Sequence, residues 1–294
     1  MPSMSRKKSK AEDARSQADK GEAKTSSKKS AAAQEQPGPP KSVWREYFES
    51  AIYTAIMFVF FITFIGRTVG VPTGSMLNTI LIGDYFLIDK FIFAPGSHPF
   101  FLPQRDIKRG DIIVFKYPGD YQNEGSDERY KVTPYKDYYI KRVIGLPGET
   151  IEVRGANVLI NGQVLPEHRV TVRAETNDKA PLEIRNNPPR AGEPYTVYYY
   201  ESTMLSPDKT EEPPPIFHFA VSGPYKIPDN SYFVMGDNRD NSADSRAWGP
   251  VDGSLVIGRA LFVFWSRDDS APSTFPLIDI FKNTRWSRTG TMIK

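Results

Sequence analysis

Residues Ala51–Gly66 (AIYTAIMFVFFITFIG) run for sixteen positions without a charged side chain. A helix crossing a bilayer needs about 20 apolar residues, so the run alone is slightly short. Arg67 interrupts it, and Thr68–Val71 carries on with few polar groups. An arginine can snorkel to the interface, and Tyr47 and Phe48 can extend the other end. The alternative is a helix buried in a soluble core, but a helix apolar on all sides seldom opens a soluble domain. A cleavable export signal fits less well, because the run begins only at Ala51 and no A-x-A site follows it. We therefore expect one transmembrane anchor over residues 42–70. No other stretch is long and apolar enough for a second.

Charge gives that anchor a direction. Residues 1–46 carry 11 Lys and Arg against 6 Asp and Glu, a net of +5. The remaining 248 residues carry 27 against 29, a net of −2. The overall +3 thus comes from the tail. The positive-inside rule then places the tail in the cytoplasm and everything after about residue 70 outside, in a single-pass membrane protein. Residues 1–41 hold almost nothing large and end in Pro37-Gly38-Pro39-Pro40. Such a segment cannot offset its own ordering entropy and reads as a disordered basic tail. A specific nucleic-acid- or lipid-binding arm is the sharper alternative. The near-neutral body argues against nucleic acid as a partner.

Beyond residue 70 the chain reads as β. Asp84–Phe93, Asp111–Tyr117, Tyr138–Ile144, Tyr232–Met235 and Gly258–Trp265 are short runs rich in β-branched and aromatic residues. Val158–Ile160 and Gln163–Leu165 flank Asn161-Gly162, the strongest short hairpin signal. The 25 prolines and the weak helical periodicity point the same way. Residues 166–228 are rich in Pro, Tyr and charge, and are expected to form a peripheral insertion within an extracytoplasmic β domain over 71–294. Phe91–Pro95 and Phe100–Pro103 are unusually apolar for loop-flanking segments and are expected either to touch the bilayer surface or to lie on the core.

The chain has no cysteine and only three histidines, His98, His168 and His218. Disulfides, thiolate metal sites and a cysteine nucleophile are excluded. Three other segments carry candidate chemistry. Pro72-Thr-Gly-Ser-Met76 places a serine nine residues after Gly66, within roughly 30 Å of the helix end at about 3.3 Å per residue. Alone, a serine beside a glycine is an ordinary turn residue. Tyr139-Ile-Lys-Arg-Val-Ile144 sets Tyr139, Lys141 and Val143 on one face of a strand. An inward lysine loses hydration, its pKa falls, and it becomes a usable base; an outward one is an ordinary solvated strand residue. Met235–Gly249 crowds Asp237, Asp240, Asp244, Arg239 and Arg246 with Asn238, Asn241 and Ser242. Asp240-x-Ser242-x-Asp244 loosely matches a calcium loop but lacks its glycine and distal glutamate. A loop that pairs its carboxylates with its own arginines and presents a hydroxyl is the better reading.

Taken in order, these segments resemble the bacterial type I signal peptidase family of membrane-anchored serine proteases. The resemblance covers about residues 42–154 and 228–294. It rests on Pro72–Met76, Arg109–Pro118 (RGDIIVFKYP), Tyr139–Glu149 (YIKRVIGLPGE) and Gly236–Arg246 (GDNRDNSADSR). It implies a mainly β fold: a signal-peptidase-like barrel or sheet carrying the catalytic core, with a β-rich insertion, after one N-terminal transmembrane helix. It makes Ser75 the nucleophile and Lys141 the general base, a Ser–Lys version of triad logic. Ser242 is expected to orient the Lys141 amine, with Asp244 and Arg246 paired behind it. The Ser75 N–H and the Thr73 hydroxyl are the expected oxyanion donors. No cofactor or metal is implied.

The substrate implied is a signal-peptide-bearing preprotein, added as a strand between Val69–Thr73 and Tyr138–Lys141. Val69, Val71, Met76, Ile80, Tyr139 and Ile140 are expected to bind it in shallow pockets that admit small side chains. The lipid bilayer is the other partner, and a monomer is the simplest assembly. Two departures stand out. Thr73 replaces the more usual Ser, and Asn78 stands where the family commonly has Pro, which is expected to loosen the turn after the nucleophile. The alternatives are a self-cleaving Ser–Lys protease and a non-enzymatic membrane-anchored domain that binds exported chains. The presence of Ser75, Lys141, Ser242, Asp244 and Arg246 together disfavours the last.

Overall fold

The computed structural model describes residues 42–61, 63, 66–93, 104–120, 127–128, 131–173, 184–186, 192–204, 216–268, 270–271 and 276–294. The expected tail over 1–41 and the apolar stretch 94–103 lie outside these residues. The chain divides into two units, residues 1–56 and 57–294.

Helix α1 covers Val43–Phe60, and none of its residues is buried. Among the described residues no helix is long and apolar enough to cross a membrane. The anchor expected over 42–70 is corrected at its far end: Gly66–Gly70 is strand β1. Gly66, Gly70 and the β-branched Thr68 and Val69 disfavour helix, and pairing with a neighbouring strand satisfies their backbone.

The remaining strands are β2 (Asp84–Asp89), β3 (Ile112–Lys116), β4 (Tyr138–Gly145), β5 (Thr150–Arg154), β6 (Asn157–Ile160), β7 (Gln163–Val164), β8 (His168–Val172), β9 (Ile184–Asn186), β10 (Thr196–Tyr200), β11 (Tyr225–Lys226), β12 (Ser231–Met235), β13 (Val251–Asp252) and β14 (Val256–Ser266). Seven form the main sheet in the order β1-β2-β14-β3-β4-β12-β13, every neighbour antiparallel. Register shifts interrupt β14 against both β2 and β3, and such bulges bend and twist a strand. At Gly258 β14 passes close to β2: a Cβ there would lie 2.2 Å from the Asp89 carbonyl oxygen. The resulting curl brings β1 near β4, four places away in the sheet, where Arg67 Nη1 donates to Tyr138 OH at 3.3 Å.

Each strand segment expected from composition holds a strand, although that in Asp84–Phe93 ends at Asp89 and that in Gln163–Leu165 at Val164. The Asn161-Gly162 turn has φ of 51° and 80°, the left-handed pair that a tight hairpin requires, and Ile160 faces Gln163 across it. The hairpin belongs to a second sheet, β11-β5-β6-β7.

Segment 166–228 corrects the expectation of a peripheral insertion. It supplies all three strands of a third sheet, β10-β8-β9, with β8 and β10 parallel. Val197 and Tyr199 point into one apolar cluster with Ile144, Ile151, Phe233 and Met235, so the insertion shares a core with β4 and β12. Alternation explains this: successive residues of a strand face opposite ways, so Val197 and Tyr199 enter this cluster while Tyr198 is buried against Leu77, Leu81, Val170 and Val172 on the other face. Phe93, at the edge of the apolar stretch 91–95, packs against the cluster around Ile113, Phe115 and Trp248.

Candidate active site

Val71–Thr73 leaves β1 in extended form, and Gly74–Met76 makes a single 3₁₀ turn with Thr73 before it at φ −130° and ψ 153°. Leu77 N donates back to Gly74 O at 3.0 Å, and Thr79 N and Ile80 N donate to Met76 O. Asn78 follows at φ 70°. Asn tolerates this left-handed conformation, whereas proline, held near φ −65°, would not fit. The turn is not loosened as expected, because four hydrogen bonds secure it. Thr79 Oγ1 donates to Asp237 Oδ2 at 2.6 Å, Arg288 Nη2 donates to Thr79 O at 3.1 Å, and Asp84 receives both Leu81 N and Arg288.

Ser75 is buried, and its hydroxyl meets the only lysine of β4. Lys141 Nζ donates to Ser75 Oγ at 2.7 Å and to Ile140 O at 3.1 Å. Its side chain shares a strand face with Tyr139, whose ring centroid lies 5.3 Å from Nζ. Burial pushes the Lys141 pKa down from 10.5 to about 8; Asp244 and Asp237 oppose this, and Arg246 adds to it. An ammonium that has lost its water is destabilised more than these two carboxylates restore.

The loop after β12 closes over the pair. Asn238 N donates to Ser75 O at 3.1 Å and Asn238 Nδ2 to Gly74 O at 3.2 Å. Gly236 permits this approach: a Cβ there would lie 2.5 Å from Ser75 O and 2.3 Å from Ser242 Oγ. Asp244 and Arg246 pair as expected, Nε to Oδ1 at 2.8 Å and Nη2 to Oδ2 at 2.9 Å. Arg246 and the Gly236 N–H hold the Asp244 carboxyl below its ordinary pKa although burial pulls it upward.

Several expectations change here. Ser242 does not hydrogen-bond the Lys141 amine. Its hydroxyl is buried, close enough to Asp244 to help lower that pKa, yet makes no bond of ordinary geometry. Asp237 and Arg239 pair outside their own loop. Asp237 takes Arg142 of β4 in a two-pronged pair, both contacts at 2.7 Å, and Arg239 takes Glu167. Asp240 accepts Tyr200 N at 2.6 Å, and Asp244 is engaged by Arg246, so neither is left open in the manner of a calcium loop. Among the described residues no cluster of three metal-ligating side chains occurs.

The expected substrate-binding residues separate into two groups. Val71, Met76, Ile80 and Ile140 join Phe86, Ile88, Ile112 and Val114 in one cluster, with Val69 at its margin. Met76 and Ile80 expose nothing, so they back this surface rather than line it. Tyr139 lies on the other face of β4, stacked on Tyr117 at 4.6 Å. Thr73 is exposed and its hydroxyl does not cap the turn. Sequence reasoning missed Arg142, Asn238 and Glu167 as supports. Arg142 and Asn238 sit inside the matched segments, where a buried charge or amide beside the nucleophile could have been suspected. Glu167 carries no local signal at all.

The comparisons with known proteins point to one family. The family model described as signal peptidase, peptidase S26, matches residues 44–265. A probable signal peptidase I-2 from Synechocystis sp. is 29% identical over 77% of this chain and 76% of its own. A signal peptidase I from Leptolyngbya laminosa is 34% identical over 69% and 70%. One from Pseudomonas aeruginosa is 27% identical over 79% and 76%. With a family match spanning most of the chain, a mainly β body and a serine held against a buried lysine, the protein belongs to the signal peptidase family, peptidase S26, as a type I signal peptidase and serine endopeptidase.

Proposed function

We propose that this chain removes N-terminal signal peptides from exported preproteins, with Ser75 as nucleophile and Lys141 as general base, while anchored in a membrane. The observation that carries the reading is the 2.7 Å contact between Lys141 Nζ and Ser75 Oγ in a buried setting that lowers the amine pKa to about 8. Neutral Lys141 takes the Ser75 proton as Oγ attacks the scissile carbonyl. The same nitrogen then passes that proton to the departing amine, leaving an acyl-enzyme. Water, deprotonated by Lys141, attacks the ester and releases the second product. The Ser75 N–H and the Thr73 hydroxyl are the proposed oxyanion donors. Each is worth about 10²–10³ in rate where such a donor is aimed at the developing charge.

Two edges support strand addition by the substrate. Among the described residues β1 pairs with β2 alone. The pairing of β12 with β4 spans Arg142–Gly145, which leaves Tyr138–Lys141 unpaired on that side. An extended chain laid there passes Ser75 and meets the apolar surface around Val69, Val71 and Ile140. The unburied apolar helix α1 supports membrane anchoring, since a run such as Ile52, Ile56, Met57 and Val59 needs an apolar cover.

Ser75→Ala and Lys141→Ala should each lower cleavage of a preprotein in detergent by at least about 10²-fold. Near-full activity in either variant would sink the assignment.

A further inference from the structure

The polar network around the nucleophile extends into segment 166–228, where it meets a carboxylate that the Ser–Lys chemistry does not use. Glu167 and Arg239 have no exposed side-chain surface. Arg239 Nη1 donates to Glu167 Oε2 at 2.9 Å, and Nη2 donates to Oε1. Tyr195 OH donates to Glu167 Oε1 at 3.0 Å. Tyr199 OH accepts from Arg239 Nη1 at 2.9 Å and donates to Ala156 O at 3.2 Å. An ion pair buried this fully adds little stability over well-packed apolar side chains. Its use here therefore has to be sought in what it holds in place.

It holds the start of the 3₁₀ turn Arg239–Asn241. One residue earlier, Asn238 grips the carbonyls of Ser75 and Gly74. From the same residue, Arg239 O accepts Arg246 Nη2 at 2.6 Å, and Arg246 pairs with Asp244. The neighbouring strand β10 adds Tyr198 N to Asp237 O at 2.8 Å and Tyr200 N to Asp240 Oδ2 at 2.6 Å.

We propose that Glu167 is a positioning residue for the Ser75–Lys141 pair. By clamping Arg239, it sets where the 236–246 loop stands against the nucleophile and the base. The inference rests on the Ser–Lys reading above.

The groups that face Lys141 are Ser75 from the turn after β1, the Tyr139 ring on its own strand, and Asp237, Asp244 and Arg246 from the loop. Loosening the loop admits water to Nζ and returns the amine toward ordinary lysine behaviour. The test is the pH dependence of kcat and KM on a preprotein in detergent, with the full chain carrying Glu167→Gln, alongside thermal unfolding. Glutamine keeps the shape and removes the charge. We expect kcat to fall about 10²-fold, KM to stay near that of the wild type, and the acid limb to move to higher pH. Tyr199→Phe, which removes the bonds to Arg239 and to Ala156 O but no charge, should fold and move kcat and the limb the same way by less.

A limb that stays in place, with activity lost only in proportion to the folded fraction, would overturn the proposal. So would a wild-type profile in Tyr199→Phe should Glu167→Gln fail to fold. Either result leaves the Ser75→Ala and Lys141→Ala losses intact, so failure here and failure of the Ser–Lys assignment are separable.

Discussion

At the scale of single residues, burial acts most strongly on Lys141. Its amine titrates near 8 instead of 10.5, chiefly because the ammonium has lost its water. The base works when neutral, so the rate of cleavage should rise with pH through about 8 and level off above it, as a pH–rate profile of kcat/KM will show. The same shift has a stability sign. The unfolded chain keeps its proton up to 10.5 while the folded chain gives it up near 8, so stability from this group rises with pH between those values. Lys141→Met should therefore be inactive yet more stable than the wild type at neutral pH. A shift of this size corresponds to about 3 kcal/mol at roughly 1.4 kcal/mol per unit, and the gain should vanish at strongly alkaline pH. Urea unfolding at neutral and alkaline pH measures both. A Met variant less stable than the wild type at neutral pH would contradict the burial argument.

At the scale of elements, the 236–246 loop and strand β4 act as one assembly. Gly236→Ala forces a Cβ against Ser75 O and Ser242 Oγ, both within 2.5 Å. The backbone oxygen cannot move without carrying the nucleophile with it, so kcat should fall about 10²-fold with KM less affected. Arg142→Met removes the partner of Asp237 inside a dry interior, where both side chains are almost fully buried. Leaving that carboxylate unpaired should cost about 3–5 kcal/mol, read as a drop in thermal unfolding temperature. A loss within error would mean that water reaches Asp237. The elements themselves were visible from β-branched and aromatic runs and from Asn161-Gly162. Their partners were not: Arg142 and Asp237 are separated by 95 positions, and no periodicity links them.

At the scale of the whole molecule, the chain divides at residues 56 and 57. Among the described residues, the second unit holds every strand and every residue of the proposed site. A chain beginning at Met57 should fold and cleave a short signal-peptide substrate, while losing co-sedimentation with lipid vesicles. Loss of folding in that truncation would show that residues 1–56 are needed for more than attachment. The unit also overturns the reading of segment 166–228 as peripheral. Average polarity hid two inward-facing alternations, and the isolated Glu167 gave no hint that it would meet Arg239 from 72 positions away.

By itself the sequence determined the β character of the body, the direction of charge along the chain and the shortlist of reacting groups. Strand periodicity, turn chemistry and the absence of cysteine are local properties, and local physics settles them. The tertiary structure alone decided that Lys141 faces inward beside Ser75, that Ser242 makes no bond of ordinary geometry to the amine, and that Asp237 and Arg239 of the loop pair with Arg142 and Glu167 while Asp244 keeps Arg246. These outcomes depend on which distant segments exclude water from a given side chain. That follows from how the sheets curl and pack, and no window of neighbouring residues contains it.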